Sequence, residues 1–84
     1  MDDTTREFIM RELRENQSPY FDEGDLAHYY AKNRGKRDAT IYEMLVVKSE
    51  DSTISVSGLS TADTSNYFLR LAGRYRPHNS RVLG

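Results

Sequence analysis

Asp38-Ala39-Thr40-Ile41-Tyr42-Glu43-Met44-Leu45-Val46-Val47-Lys48 is the stretch on which the fold turns. Ile41, Met44, Leu45 and Lys48 recur at spacings of three and four, the period that gathers side chains on one face of an α-helix. Tyr42 stands beside them, and Val46 and Val47 carry the apolar surface further round. A helix that is apolar on most sides must be covered on most sides, so this one is expected at the centre of the fold. Asp38 is expected to open it and Glu50-Asp51-Ser52 to close it.

Three further helices are readable outward from this centre. Upstream, Asp22 is a natural N-cap with Asp25 three residues on, and Phe21 before the cap can staple onto Leu26 inside it. Leu26, Ala27, Tyr29 and Tyr30 continue that helix to Asn33, and Gly35 can take the left-handed conformation that ends it. Further upstream, Thr4 with Glu7 reads as a capping box ahead of Phe8, Ile9 and Leu13, with the helix expected to run to about Glu15. Asn16-Gln17-Ser18-Pro19 breaks it. Downstream, Ser60, Asp63 or Thr64 caps a fourth helix striped by Tyr67, Phe68, Leu71, Ala72 and Tyr75. Gly73 is expensive inside a helix, by about 1 kcal/mol, which predicts close packing against another helix there. Between the third and fourth helices Thr53–Ser57 alternates, with Ile54 and Val56 on one face, and Gly58-Leu59 turns the chain. The fold class expected is mainly α: a small bundle of about four helices over residues 1–76, one short extended loop, and a free C-terminal arm over 77–84.

Eighty-four residues make one small domain, which hides only roughly 60–65% of its unfolded surface. Without cysteine there is no disulfide, no thiolate zinc site and no cysteine nucleophile. No apolar run approaches a membrane span and no signal-peptide core follows Met1, so a cytosolic chain is expected. The net charge of −1 conceals blocks: −5 over residues 1–31, +4 over 32–37, −4 over 38–63, and +4 from 64 onward, where there is no acid. Such blocking suits contacts between complementary patches better than one uniform polyanion-binding surface.

Catalytic chemistry has little to work with. The two histidines are His28 and His78; His28 shares a helix face with Asp25, but no third ligand is in view, so no metal is expected. His78 sits in a polar tail, a poor place for a general base. Ser57-Gly58 and Ser60 read as turn and capping residues, and the five glycines stand singly, with no phosphate-cradling loop. No catalytic residue and no cofactor is expected, and enzyme is the least supported class. Ala31, Gly35 and Ile41 do match the spacing of a helix-turn-helix. Its second helix would offer Asp38, Thr40, Tyr42 and Glu43 to DNA with no positive charge, and two carboxylates would repel phosphate. The basic loop of Lys32, Arg34, Lys36 and Arg37 reads first as a solvated turn that can touch a DNA backbone. Most of the tyrosines and phenylalanines fall on or beside apolar stripes, where core packing is the default.

Taken in order, Tyr20-Phe21-Asp22, Ala39-Thr40-Ile41-Tyr42-Glu43 with Lys48, Thr53-Ile54-Ser55-Val56-Ser57-Gly58-Leu59, Tyr67-Phe68-Leu69-Arg70-Leu71-Ala72 and Tyr75-Arg76-Pro77 form a pattern. Over roughly residues 20–83 the chain resembles the head–tail connector (adaptor, or head-completion) proteins of long-tailed bacteriophages. The resemblance implies a mainly helical structural protein of the virion neck. Such a protein forms a homo-oligomeric ring of about twelve copies beneath the portal. It extends the DNA channel and offers a surface to the tail or the next ring. The implied partners are the portal protein and a neighbouring neck or tail-completion protein, with DNA touched only non-specifically in the channel. No membrane and no small-molecule substrate is implied. The implied location is the virion, and the host cytoplasm during assembly. The docking arm would be Arg76, Pro77, His78, Asn79, Ser80, Arg81, Val82 and Leu83. The loop toward a neighbouring subunit or the lumen would be Thr53, Ile54, Ser55, Val56, Ser57 and Gly58.

A ring needs heterologous interfaces, in which different patches of identical copies meet. The charge blocks offer such a pair: the acidic residues 1–31 against Arg70, Arg74 and Arg76 of the next copy. Loop and arm are then expected to bury nothing within their own domain. The alternatives are a small helix-turn-helix-like DNA-binding regulator, or a helical protein-interaction module of no stated partner.

Overall fold

Four helices follow one another in the computed structural model, which describes residues 1–56 and 58–76. They are α1 (Asp3–Glu12), α2 (Glu23–Lys32), α3 (Arg37–Ser49) and α4 (Thr61–Gly73), with no strand among the described residues. The mainly-α bundle is thus as expected. The arm over 77–84 and Ser57 lie outside the described residues.

The central position of α3 follows from its sequence. Thr40, Ile41, Met44, Leu45, Lys48 and Ser49 are all buried, and α3 packs against each of the other three helices. Ile9 and Leu13 come to it from α1, Leu26 from α2, and Phe68, Leu71 and Ala72 from α4. Full burial of each large apolar side chain is worth about 1.5–3 kcal/mol, which is how a chain this short holds one shape. Phe21, Tyr29, Tyr30, Tyr42, Tyr67 and Tyr75 pack at the rim of this core, as their place on the stripes predicts.

The helix starts are partly as expected. Asp22 and Asp25 form a reciprocal capping box, with amide-to-carboxylate distances of 2.7 and 3.1 Å. Ser60 caps α4 by accepting the Asp63 amide at 3.1 Å. Two starts differ. The N-cap of α1 is Asp2, which accepts the Thr5 amide at 2.8 Å, so Thr4 falls inside the first turn. A carboxylate one step outside the helix was free to do what the Thr4 hydroxyl was assigned. The N-cap of α3 is Lys36, with no side-chain bond to the helix, because the Asp38 carboxylate instead accepts from Arg37 Nε at 2.9 Å.

Both of the first two helices end on an arginine in the left-handed region. Arg14 has φ 62° and Arg34 φ 58°, followed by Gly35 at φ 72°. Each end carries the paired 6→1 and 5→2 backbone bonds of a Schellman motif: Glu15 to Met10 and Arg14 to Arg11, then Gly35 to Tyr30 and Arg34 to Ala31. α1 therefore stops at Glu12, short of the expected Glu15.

Two expectations are corrected by packing. Gly73 is exposed and a methyl group there would meet nothing within 4 Å, so no neighbouring helix of this chain requires the glycine. In the α3–α4 loop, Ile54 is buried and Val56 packs against the core, while Thr53 and Ser55 face out. The alternation is real, but its apolar face is buried inside this chain instead of being left for a partner.

What fixes the α1–α2 connection is a charge in the core. Lys48 is fully buried, and its Nζ donates to Leu13 O at 2.8 Å, Ser18 O at 2.6 Å and Glu15 Oε2 at 2.7 Å. The other glutamate oxygen accepts the amides of Tyr20 and Phe21 at 2.8 and 2.9 Å. The link between the helices is wound round one ammonium, which also lies 4.9 Å from the centre of the Phe68 ring. Burial pushes the Lys48 pKa down from its usual value, and the Glu15 carboxylate opposes that shift.

Candidate functional site

The start of α3 and the end of α4 meet at a shallow cleft of about 390 Å³ lined by Lys36, Arg37, Asp38, Ala39, Arg74, Tyr75 and Arg76. At the far end of the same helices, residues 49–52 lie beside Thr61, Ala62, Ser65 and Leu69, so α3 and α4 run antiparallel. Antiparallel packing is what gathers cations from three separate sequence predictions. Lys36 and Arg37 come from the basic loop, Arg74 from the inter-subunit pair, and Arg76 from the first residue of the arm. The other basic residues are not among them. Lys32 is ion-paired to Glu43 and lies over the Tyr29 ring, Arg34 is exposed on the left-handed turn, and Arg70 is exposed on α4. Pro77, His78, Asn79, Ser80, Arg81, Val82 and Leu83 lie outside the described residues.

Four cations share this cleft with one carboxylate, Asp38, which is paired to Arg37. The Arg37 guanidinium also stacks over the Phe8 ring of α1, 4.3 Å from its centre, which holds it in place. Lys36, Arg74 and Arg76 make no ion pair with a described residue. The amino end of α3, without a side-chain cap, adds its own positive potential. Tyr75 also lines the cleft: its hydroxyl donates to Glu12 of α1, and burial followed by that carboxylate pushes the phenol up to about 12. Tyr75 thus adds a neutral aromatic group tied to α1, while Lys36, Arg37, Arg74 and Arg76 supply the positive charge.

A surface of opposite sign lies at the amino ends of α1 and α2. Arg6 is 3.6 Å from Asp3 and 3.8 Å from Glu23, which draws the two helix starts together. Asp3 and Glu23 are exposed, and the N-cap carboxylates Asp2 and Asp22 precede them in the chain, each accepting an amide of its own helix. This acidic surface and the basic cleft share no residue.

The remaining acids of the fold are mostly engaged inside it. Asp51 accepts from Tyr20 Oη at 2.7 Å and from the Thr53 amide and hydroxyl at 2.8 and 2.6 Å, and these bonds lower its pKa. Glu43 is bonded to Lys32 and to Asn33, which outweighs the rise that its burial would cause. His28 lies edge-on to Tyr29, and among the described residues no three His, Cys, Asp or Glu side chains converge as metal ligands. No helix among the described residues is long and apolar enough to cross a membrane.

The second helix of the sequence-level helix-turn-helix is α3. Its buried face is occupied by the core, and α1, α2 and α4 all pack against it. A helix so covered presents little to a DNA major groove. The Lys48–Glu15 pair, by contrast, is a buried structural element of the core. Its signal was present in the sequence, a lysine on an apolar stripe, but nothing there identified the partner. Comparison with family models, with curated proteins and with solved structures finds no match.

Proposed function

We propose that this chain is a structural protein of a bacteriophage neck, forming a ring at the head–tail junction beneath the portal. In that position it extends the DNA channel and offers a surface to the tail or to the next ring. The observation that carries the reading is the presence of two oppositely charged surfaces, built from different residues, on one small helical unit. Surfaces that are complementary but not coincident suit a heterologous contact, the kind that closes identical copies into a ring. The resemblance in the order of motifs over residues 20–83 supplies the place of that ring. The fold supports it in a second way: with its core filled, the basic cleft and the exposed Leu59 and Leu69 stand open on the described surface.

The reading is tested by stoichiometry. Light scattering on the purified chain with and without portal complexes is expected to give one large defined oligomer bound to the portal. A monomer or dimer that ignores the portal, or that instead binds DNA with a steep salt dependence, overturns it.

A further inference from the structure

We infer that the cleft of Lys36, Arg37, Arg74 and Arg76 receives the acidic amino ends of α1 and α2 from a second copy of this chain, successive copies meeting head to tail. This rests on the ring reading above and narrows it to a pair of surfaces.

Charge selects the occupant. The cleft holds four cations against one carboxylate, and three of the cations are without an ion pair to any described residue. What fits it is a compact group of carboxylates that is not already spent. Several acids fail that test: Asp51 is held by Tyr20 and Thr53, Glu43 by Lys32 and Asn33, Glu12 by Tyr75, and Glu15 by Lys48. Asp2 and Asp22 are spent on the Thr5 and Asp25 amides, and the group that passes is Asp3 with Glu23, brought together by Arg6. The side chains of Asp3 and Glu23 are 89% and 79% exposed, and their contacts to Arg6 are long. Arg70, which the charge blocks alone would include, does not line the cleft and drops out of the interface. Lys36 and Arg37, from the middle of the sequence, enter it. The cleft and the Asp3–Glu23 pair are made of different residues, so one copy offers both halves of the contact, and the contact can repeat.

The test is a charge-reversal complementation read by sedimentation velocity at low and moderate salt. One variant carries Arg74→Glu and Arg76→Glu, the other Asp3→Lys and Glu23→Lys. All four side chains are exposed, and circular dichroism confirms that each variant keeps its helices. The wild-type chain is expected to associate beyond a dimer at low salt, and each variant alone to associate about tenfold more weakly or worse. Mixing the two variants restores association, because each reversed surface then meets an opposite one. Wild-type assembly that neither variant weakens, a mixture no better than its parts, or association that stops at two copies overturns the interface. If wild-type rings persist in the first of these cases, the neck reading stands without this interface. A wild-type chain that stays monomeric at low salt and also ignores the portal overturns both.

Discussion

Lys48 Nζ and Glu15 Oε2 lie 2.7 Å apart in the core, the lysine fully buried and the glutamate 8% exposed. Every proton of the ammonium has an acceptor, and two of those acceptors are backbone carbonyls of the α1–α2 link. Lys48→Met keeps the volume but strands a buried carboxylate and two carbonyls. It is expected to cost about 3–5 kcal/mol in urea unfolding. Adding Glu15→Gln removes the stranded charge, so the double variant is expected to be more stable than Lys48→Met alone. A loss below about 1 kcal/mol for the single variant would show that the pair does not hold the link.

Arg34 is exposed, stands at φ 58° and has no hydrogen bond or ion pair from its side chain to a described residue. Arg34→Gly relieves the left-handed strain and is expected to raise stability by about 0.5–1 kcal/mol, partly offset by the greater freedom of glycine in the unfolded chain. Arg14→Gly should gain less, because Arg14 Nε also donates to Tyr67 Oη at 3.1 Å. Thermal unfolding of the two variants side by side checks the order.

Ile54 belongs to the core although it lies in a loop. Ile54→Ala is therefore expected to cost about 2–4 kcal/mol, and Ser55→Ala, one residue on and exposed, close to nothing. Equal effects at the two positions would mean that the loop is not anchored by its apolar face.

Tyr75 titrates late. Its folded-state pKa of about 12 lies above the usual phenol value, through burial and the Glu12 carboxylate. A raised folded-state pKa means that the folded chain holds the proton more tightly. This contribution to stability is complete below about pH 10 and is lost as pH rises toward 12. The pKa of Tyr20, whose hydroxyl donates to Asp51, is also raised. An ultraviolet titration of Tyr75→Phe should therefore lose one late-titrating phenol relative to wild type and not all late titration, and the variant should lose stability less steeply over that range.

Most of the fold was legible because it is written in local periodicity. The stripe Ile41, Met44, Leu45, Lys48 placed α3 at the centre, and Asp22 with Asp25 placed the start of α2. The misreadings have physical causes of the same size as the signals. Asp2 and Thr4 compete for one cap, and the stronger acceptor lies outside the helix. Arginine in the left-handed region, at Arg14 and Arg34, has no sequence signature. The alternation of Ile54 and Val56 revealed a buried face but not whose core would bury it. The basic cleft was out of reach for a different reason. Lys36, Arg37, Arg74 and Arg76 become neighbours only when α4 folds back along α3, a tertiary fact that charge blocks along the chain cannot carry.

The most direct measurement of the central claim is electron microscopy of this protein mixed with purified portal complexes. The account predicts a closed ring of copies coaxial with the portal, on its outward face, with the channel running through both. Portal particles that carry no added density under conditions where the chain is folded and in excess would contradict it.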